Sequence, residues 1–220
     1  KYNLPAVPAS LLGSVDLPPI EVAQIYSTIA NAGYYTPLRA IREVTDSKSN
    51  LLDQAEVDPI QSVEPGPNYL ITQAMIDVVN QGTAGSVRHS VGNLRMAAKT
   101  GTTNDYRDSW FAGFTGNYTA VTWVGRDDNK PIHRLTGTAG ALPIWANAMK
   151  NLYLEGISQE KPSDIIDVAV DLSTGLLPPT HACPDTKVRT LPFIKGYQPT
   201  YVSECYYLPA TPESGGFIFD

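Results

Sequence analysis

The sequence predicts an α+β fold in which an antiparallel sheet is flanked by helices. Three observations lead to this prediction. Apolar residues recur at helical spacing in three separate segments, and three short strand-like segments, two of them with large aromatic residues, lie between the second and third of them. Tight-turn residues separate two of those strands. With 220 residues, of which 42% are hydrophobic, the chain can bury one core, or one core with an appendage.

Each predicted helix has a start signal, an apolar face and an end. The first begins at Leu17-Pro18-Pro19-Ile20-Glu21, with proline and an acidic residue in its first turn, and stops at Asn31-Ala32-Gly33. The second is expected to begin near Asn68 and to end at Gln81-Gly82. The third follows the glycine-rich segment 136–140. Its apolar face is formed by Leu142, Trp145, Ala146, Met149, Leu152 and Tyr153.

Short strands account for most of the remaining residues before position 156. A hairpin is predicted in which the first strand covers Leu38 to Thr45 and a return strand starts at Leu51. Residues 59–67 are expected to form a linker. Residues 83–93 are expected to form a loop. The central sheet is predicted from three strands, with a tight turn at Gly116-Asn117 between the last two. These strands are Leu94–Thr100, Ser109–Thr115 and Tyr118–Val124.

The character of the chain changes at Gly156, where proline, glycine and threonine become more frequent and apolar periodicity declines. We therefore expect one domain over residues 1–156 and a small C-terminal appendage over residues 157–220. The appendage contains one predicted strand, Ile165–Leu172, and its last ten residues are expected to fray. It also contains both cysteines of the chain, Cys183 and Cys205.

Composition excludes several classes of function. Sixteen basic and 22 acidic residues give a formal charge of −6, which argues against nucleic acid as the main partner. The charged segment 125–130 is expected to be a solvated loop, and the three histidines (His89, His133, His181) lack metal-ligand spacing, so no metal site is predicted. Since no window is long and apolar enough to cross a bilayer, any anchor or export signal is expected outside these residues.

The two cysteines allow two readings, a disulfide or a pair of free thiols. Closing a loop of about 20 residues would contribute about 3 kcal/mol in the chain-entropy model. A disulfide between Cys183 and Cys205 would also place this part of the chain in an oxidising compartment.

The segment Met96–Thr103 has the composition of an anion-binding strand edge. It begins with small and flexible apolar residues, as a buried strand does, and then supplies a cation at Lys99, hydroxyls and a glycine. Lysine attracts an anion, threonine hydroxyls donate to a carboxylate, and glycine lets a ligand backbone lie against the strand. A bare Lys-Thr-Gly sequence is also compatible with an ordinary strand end that runs into a turn.

Several further segments give this pattern a family resemblance. Together with Lys99–Asn104, they resemble in order the transpeptidase domain of class A penicillin-binding proteins, over about Leu11 to Leu154. The sequence Gly-Arg-Asp-Asp-Asn at residues 125–129 is most similar to that of the bifunctional Gram-negative enzymes, which also polymerise glycan. The other matching segments are Leu17–Gly33, Gln81–Ala84, Asp108–Gly113, Trp123–Asn129 and Ala139–Trp145.

The resemblance implies a penicillin-binding protein/serine β-lactamase-like transpeptidase fold and a role for each residue of the pattern. Lys99 would keep the site positive, and Thr100 and Thr102 would hold the terminal carboxylate of the substrate or of a β-lactam. The backbone N–H of Thr102 would be an oxyanion-hole donor. Gly101 would leave room for the substrate as an added strand, and Thr103 would assist in holding the carboxylate.

The resemblance also implies the setting of the reaction. Family enzymes attack a stem peptide ending in D-Ala-D-Ala with a serine and pass the acyl group to the amine of a neighbouring stem peptide. They take part in peptidoglycan synthesis, are acylated by β-lactam antibiotics and use no cofactor. The expected location is the periplasmic face of the inner membrane, with cell-wall synthesis proteins as expected partners.

The sequence departs from the family pattern in one respect. The nucleophile motif Ser-x-x-Lys and the second family motif are expected before Lys1, and the match at Ser158–Lys161 is expected to be coincidental because it follows Lys-Thr-Gly on a polar stretch. The 220 residues alone are therefore expected to be inactive. Two alternatives remain open: a D,D-carboxypeptidase or β-lactamase-type hydrolase of the same fold, or a non-catalytic penicillin-binding-like sensor or scaffold.

Overall fold

A computed structural model describes residues 6–8, 10, 13, 15–181, 183 and 186–205 of the chain. The chain divides into two compact units, a first unit over Lys1–Pro162 and a second unit over Ser163–Asp220. Across the described residues, no helix combines the length and the apolar content that a membrane span requires. The frayed C-terminus expected for the last ten residues lies outside the described part.

The first unit contains four α-helices and three groups of antiparallel strands among its described residues. The helices are α1 (Pro19–Ala30), α2 (Pro65–Asn80), α3 (Arg88–Val91) and α4 (Leu142–Met149). The strands are β1 (Tyr34–Tyr35), β2 (Glu43–Thr45), β3 (Leu51–Gln54), β4 (Ile60–Gln61), β5 (Ala97–Thr102), β6 (Ser109–Phe114) and β7 (Thr119–Val124). The combination confirms the predicted α+β class.

The central sheet has the order β5-β6-β7, and both of its pairings are antiparallel. Lys99 lies opposite Ala112, and Thr102 lies opposite Ser109. Since β5 pairs only with β6 in this sheet, one edge of β5 has no strand beside it within the described residues. That edge carries the Lys-Thr-Gly pattern.

One face of the sheet packs against α4. Ala98 and Phe111 are fully buried on this face, together with Trp145 and Ala146 of the helix. The rings of Phe111 and Trp145 lie 5.1 Å apart between centroids and are tilted by 59°, a favourable arrangement for an aromatic pair. This contact fixes the helix over the middle of the sheet.

The opposite face packs against α1 and α2. Ala97 and Phe114 are buried with Met75 and Ile76 of α2, and Tyr26 of α1 is half-buried against the same cluster. Burial raises the pKa of the Tyr26 hydroxyl above its ordinary value. The central sheet thus lies between helices, in agreement with the predicted α+β fold.

Several elements of the first unit differ from the sequence prediction. Helix α2 begins at Pro65, three residues before Asn68, because proline is well suited to the first helical position. The predicted linker contains β4, and the predicted loop 83–93 contains a 3₁₀ turn (Gly85–Val87) and α3. The first hairpin strand starts at Glu43 rather than Leu38, and α4 ends at Met149 with Leu152 and Tyr153 exposed.

The second unit is built on one antiparallel pair, β8 (Ile165–Asp171) and β9 (Val188–Ile194). The predicted strand Ile165–Leu172 corresponds to β8. Strand β9 was not predicted, since Pro192 within it argues against a strand interior. The structure joins Cys183 and Cys205 by a disulfide, with their Cα atoms 5.8 Å apart.

Candidate active site

The Lys-Thr-Gly strand passes from the core to the surface within a few residues. Met96, Ala97 and Ala98 are fully or almost fully buried, whereas Lys99 and Thr102 are exposed and the two residues between them are half-buried. The buried start anchors β5, because its apolar side chains contribute to the core on both faces of the sheet. The polar half of the strand is therefore held in place without losing access to solvent.

The hydrogen-bond pattern shows which backbone groups of β5 are free to bind a ligand. The N–H of Thr103 donates to the carbonyl of Asp108 at 3.2 Å, which marks this pair as a hydrogen-bonded position of the β5–β6 ladder. In an antiparallel ladder, hydrogen-bonded pairs alternate with non-hydrogen-bonded pairs along the strand. The backbone groups of Gly101 therefore face Trp110 on β6, whereas the N–H groups of Thr100 and Thr102 point away from β6. Both N–H groups therefore point to the open edge.

The ammonium group of Lys99 lies at the same edge. Its Nζ donates to the carbonyl oxygen of Thr100 at 2.7 Å, and the alternation that turns the Thr100 N–H outward turns this carbonyl outward as well. The edge thus presents one positive charge beside two backbone donors. This combination suits a carboxylate or a developing oxyanion.

The threonine hydroxyls of the pattern have different partners. Thr102 Oγ1 accepts a hydrogen bond from the N–H of Gly137 at 3.0 Å, which orients the oxygen and leaves the hydroxyl proton available to a ligand. Thr100 Oγ1 lies 2.8 Å from Thr83 Oγ1, and one hydroxyl of the two donates to the other. One proton of this pair therefore also remains available.

Thr103 is engaged differently from its neighbours. Its hydroxyl donates to Asp108 Oδ2 at 3.0 Å and accepts from the Asp108 N–H at 2.8 Å. The other carboxylate oxygen of Asp108 accepts from Trp123 Nε1 at 2.9 Å. This closed set of hydrogen bonds joins the end of β5 to β7.

A turn of π-helix (Gly137–Ala141) supports the site next to β5 and β6. Ser109 is completely buried, donates to the Thr136 carbonyl at 2.7 Å and accepts from the Ala141 N–H at 2.9 Å. Thr136 Oγ1 caps the turn by accepting from the Ala139 N–H at 3.1 Å. These bonds fix the turn whose Gly137 N–H positions the Thr102 hydroxyl.

The charged segment 125–130 lies on the surface, as expected. Arg126 forms a two-pronged ion pair with Asp128, at 2.8 and 2.9 Å, and Lys130 lies 3.2 Å from the same carboxylate. The hydrogen bonds from Arg126 hold the pKa of Asp128 well below its ordinary value. This carboxylate is therefore neutralised by its own loop.

His181 lies close to both cysteines in the folded chain. The fold brings His181 Nε2 within 3.2 Å of Cys205 Sγ, although the two residues are 24 positions apart. The third side chain of this group is Cys183, and its sulfur is bonded to that of Cys205. The spacing of His181 in the sequence could not indicate this proximity, because the chain returns to it only through β9.

Ser158 of the single Ser-x-x-Lys pattern in the sequence lies on an exposed segment without helical structure. By contrast, the sequence reasoning did not assign roles to Thr83, Asp108 and Gly137, which contact the pattern directly. Thr83 and Asp108 belong to segments that share the family resemblance, which was the available signal, whereas Gly137 lies two residues before such a segment.

These features fit a known class of domain. Residues 9–150 match the penicillin-binding protein transpeptidase domain, and residues 161–207 match the C-terminal domain of penicillin-binding protein 1A. The first match covers more than half of the chain, so the protein belongs to the penicillin-binding transpeptidase family.

Among curated proteins, the chain is similar to penicillin-binding proteins 1B and 1A of Gram-negative bacteria. It is 40% identical to penicillin-binding protein 1B of Escherichia coli over 171 residues, which is 78% of this chain and 20% of that protein. It is 34% identical to penicillin-binding protein 1A of Neisseria meningitidis over 156 residues, covering 67% of this chain and 19% of that protein. The chain thus spans about a fifth of the length of these relatives.

Solved structures show the same fold. Penicillin-binding protein 1A of Haemophilus influenzae superposes with a TM-score of 0.73 at 22% identity, over 86% of this chain and 33% of that one. The penicillin-binding protein PonA1 of Mycobacterium tuberculosis gives a TM-score of 0.52 at 27% identity, over 66% of this chain and 41% of that one. The predicted transpeptidase fold is therefore confirmed.

Proposed function

We propose that this chain forms part of a peptidoglycan D,D-transpeptidase that cross-links stem peptides through a serine acyl-enzyme and is acylated by β-lactams. The observation that carries the proposal is the open edge of β5. There the Lys99 ammonium and the N–H groups of Thr100 and Thr102 lie together, beside a Thr102 hydroxyl that is oriented by Gly137. Family membership supports the same reaction class.

In this proposal each group at the edge has one task. The donor stem peptide lies along β5 as an added strand, and the absence of a side chain at Gly101 keeps the approach open. The hydroxyls of Thr100 and Thr102 donate to its terminal carboxylate, and the Lys99 ammonium attracts the same charge. The Thr102 N–H stabilises the oxyanion that forms when serine attacks the penultimate D-Ala carbonyl. Thr103 maintains the strand end through Asp108.

The proposal places the nucleophilic serine in a segment other than Ser158–Lys161. Ser158 is exposed on a non-helical stretch and has no described contact with β5. In the complete protein, the serine expels the terminal D-Ala, and the acyl group then passes to an amine of a second stem peptide. We further propose an upstream glycosyltransferase, a membrane anchor outside this chain, a location on the periplasmic face of the inner membrane and cell-wall synthesis proteins as partners.

We also propose that residues 1–156 form the C-terminal portion of the transpeptidase domain and that residues 157–220 form an appendage. Two observations support a division in this region. The two compact units divide after Pro162, and the first family match ends at residue 150 while the second begins at residue 161. Expression of the protein with and without residues 157–220 would test whether the transpeptidase portion keeps its acylation rate.

The decisive experiment measures acylation and turnover separately. The complete protein should form a stable adduct with fluorescent penicillin and should convert a D-Ala-D-Ala stem peptide into free D-Ala and a cross-linked dimer. The isolated 220-residue chain should do neither. Release of D-Ala without dimer would instead show a hydrolase, and failure of the complete protein to acylate would show a sensor or scaffold. Stable acylation of the isolated chain would refute the assignment of the nucleophile.

A further inference from the structure

The first unit contains a groove that does not involve the Lys-Thr-Gly strand. It lies where the C-terminal end of α1 meets the segment that leads to β2, and its volume is about 360 Å³. A second depression of about 200 Å³ shares Ser27 and Asn31 with it and continues to the β6–β7 turn at Tyr118. Polar or charged residues that line the main groove are Ser27, Asn31, Tyr34, Thr36, Arg39 and Arg42.

Two guanidinium groups of this groove lack acidic partners. Within the part of the chain that the structure describes, neither Arg39 nor Arg42 forms an ion pair, in contrast to Arg107, Arg126 and Lys130. Arg39 donates from Nη1 to the Ala55 carbonyl at 3.4 Å, and both arginines are exposed. In a chain with a formal charge of −6, two unpaired arginines lining one groove are a local reversal of charge that favours an anion.

The walls of the groove are held by side-chain hydrogen bonds. Gln24 donates to the Thr36 carbonyl at 2.9 Å and accepts from the Leu38 N–H at 2.9 Å, which fixes the segment against α1. Asn31 donates to the Tyr34 carbonyl at 3.2 Å. A groove that is already shaped loses less entropy when a ligand binds.

The end of α1 does not counteract the arginines strongly. A helix C-terminus carries partial negative charge on its last carbonyls, which disfavours a nearby anion by less than about 1 kcal/mol at an exposed site. Three of these carbonyls are already paired: Ser27 with the Asn31 N–H, Thr28 with the Gly33 N–H, and Ile29 with Asn68 Nδ2. The two guanidiniums therefore dominate the field in the groove.

We propose that this groove binds a carboxylate-bearing segment of peptidoglycan at a distance from the reacting peptide. The inference rests on the proposed function. Arg39 and Arg42 would bind stem-peptide carboxylates, and the hydroxyls of Ser27 and Thr36 would contact sugar hydroxyls. Tyr34, a residue that is 43% exposed, would contact an apolar sugar face through its ring. The shared wall with the second depression provides length for a polymer.

The test uses the complete protein after its active site has been acylated with benzylpenicillin, so that only binding outside the Lys-Thr-Gly edge is measured. The probe is a fluorescently labelled, soluble glycan fragment with uncross-linked stem peptides, followed by fluorescence anisotropy. The variant is Arg39→Gln with Arg42→Gln. The matched control is Lys48→Gln with Lys187→Gln, which removes the same charge from exposed positions outside the groove.

We expect the arginine variant to weaken binding at least tenfold and the lysine control to change it less than twofold. Converting the carboxylates of the probe to amides should reproduce the loss, and free stem peptide should bind more weakly than the glycan-linked form. The proposal would be overturned if the arginine variant kept the wild-type affinity or if the lysine control lost as much affinity as the arginine variant. It would also be overturned if the amidated probe bound as well as the unmodified probe, or if the acylated wild type did not bind the probe. Penicillin acylation, measured in the same preparations, reports separately on the proposed function.

Discussion

The backbone N–H of Gly137 donates to the side-chain oxygen of Thr102 at 3.0 Å, which connects two segments 35 residues apart. This bond orients a hydroxyl of the Lys-Thr-Gly strand from behind. It requires close approach, because a Cβ built on Gly137 would lie 2.8 Å from the Trp110 carbonyl oxygen and 2.9 Å from Thr100 Cβ. Glycine is thus required at position 137 because a larger residue would not fit between β5 and β6 and the turn.

Gly137→Ala is expected to disturb the site without unfolding the protein. The methyl group must displace either the π-helical turn or β5, at a cost of about 1 to 3 kcal/mol in the free energy of unfolding. Penicillin acylation of the complete protein should slow as Thr102 loses its alignment. Gly85→Ala is the matched control, since its Cβ would meet Val79 O at an ordinary 3.6 Å. Equal effects of the two substitutions on acylation would contradict this role of Gly137.

Lys99→Ala should reduce the second-order rate of penicillin acylation by about 100-fold or more, the range found when a group that stabilises developing charge is removed. The melting temperature should hardly change, because Lys99 is exposed and its described hydrogen bond goes to the Thr100 carbonyl. Stopped-flow or gel-based acylation assays would provide the rate. Ser158→Ala and Lys48→Ala should both behave as wild type. Acylation at the normal rate in Lys99→Ala would remove the central assignment.

The sequence was sufficient to predict the central sheet, because a tight turn separates two segments rich in aromatic and β-branched residues and leaves few other structures possible. It was insufficient for β1 and β4. Each has two residues, and they pair only because α1 and α2 bring them together. Strand β9 was hidden by Pro192, whose compatibility with the strand depends on a two-stranded sheet.

The candidate site was predictable to a similar degree. The residues of the Lys-Thr-Gly pattern were identified from their chemistry and family resemblance, and the fold places them at a free strand edge. Their supporting contacts were not predictable, since Thr83 reaches Thr100 across 17 positions and Gly137 reaches Thr102 across 35. Nor could the sequence show that the Thr103 hydroxyl donates a hydrogen bond to Asp108, because that contact depends on how the strands pair.

Removing the disulfide should destabilise the second unit selectively. Cys183 and Cys205 are separated by 22 positions, and replacing both by serine restores chain entropy worth about 3 kcal/mol to the unfolded state. The opening free energies of β8 and β9 amides, measured by hydrogen exchange, should fall by about that amount. Amides of β6 in the first unit serve as the internal reference. A uniform loss of protection in β6 as well as β8, or no loss at all, would contradict this prediction.

Asp171 should make the second unit sensitive to acid. Its carboxylate accepts hydrogen bonds from the Ser173 hydroxyl at 2.7 Å and the Ser173 N–H at 2.9 Å, and these bonds to the charged form hold the pKa of Asp171 below its ordinary value. A group with a lowered pKa in the folded state stabilises the fold above its unfolded pKa of about 3.9. That contribution is lost as the pH falls towards the folded pKa.

Carbon-13 NMR of the Asp171 carboxyl group should therefore show a midpoint below that of an unfolded aspartate, and β8 amides should lose protection as the pH falls below about 4. Ser173→Ala removes the hydroxyl donor but keeps the N–H donor, so the midpoint should rise without reaching the unfolded value. Asp171→Asn should abolish this part of the acid dependence, because the side chain no longer titrates. An unchanged midpoint in Ser173→Ala would show that the hydroxyl does not cause the shift.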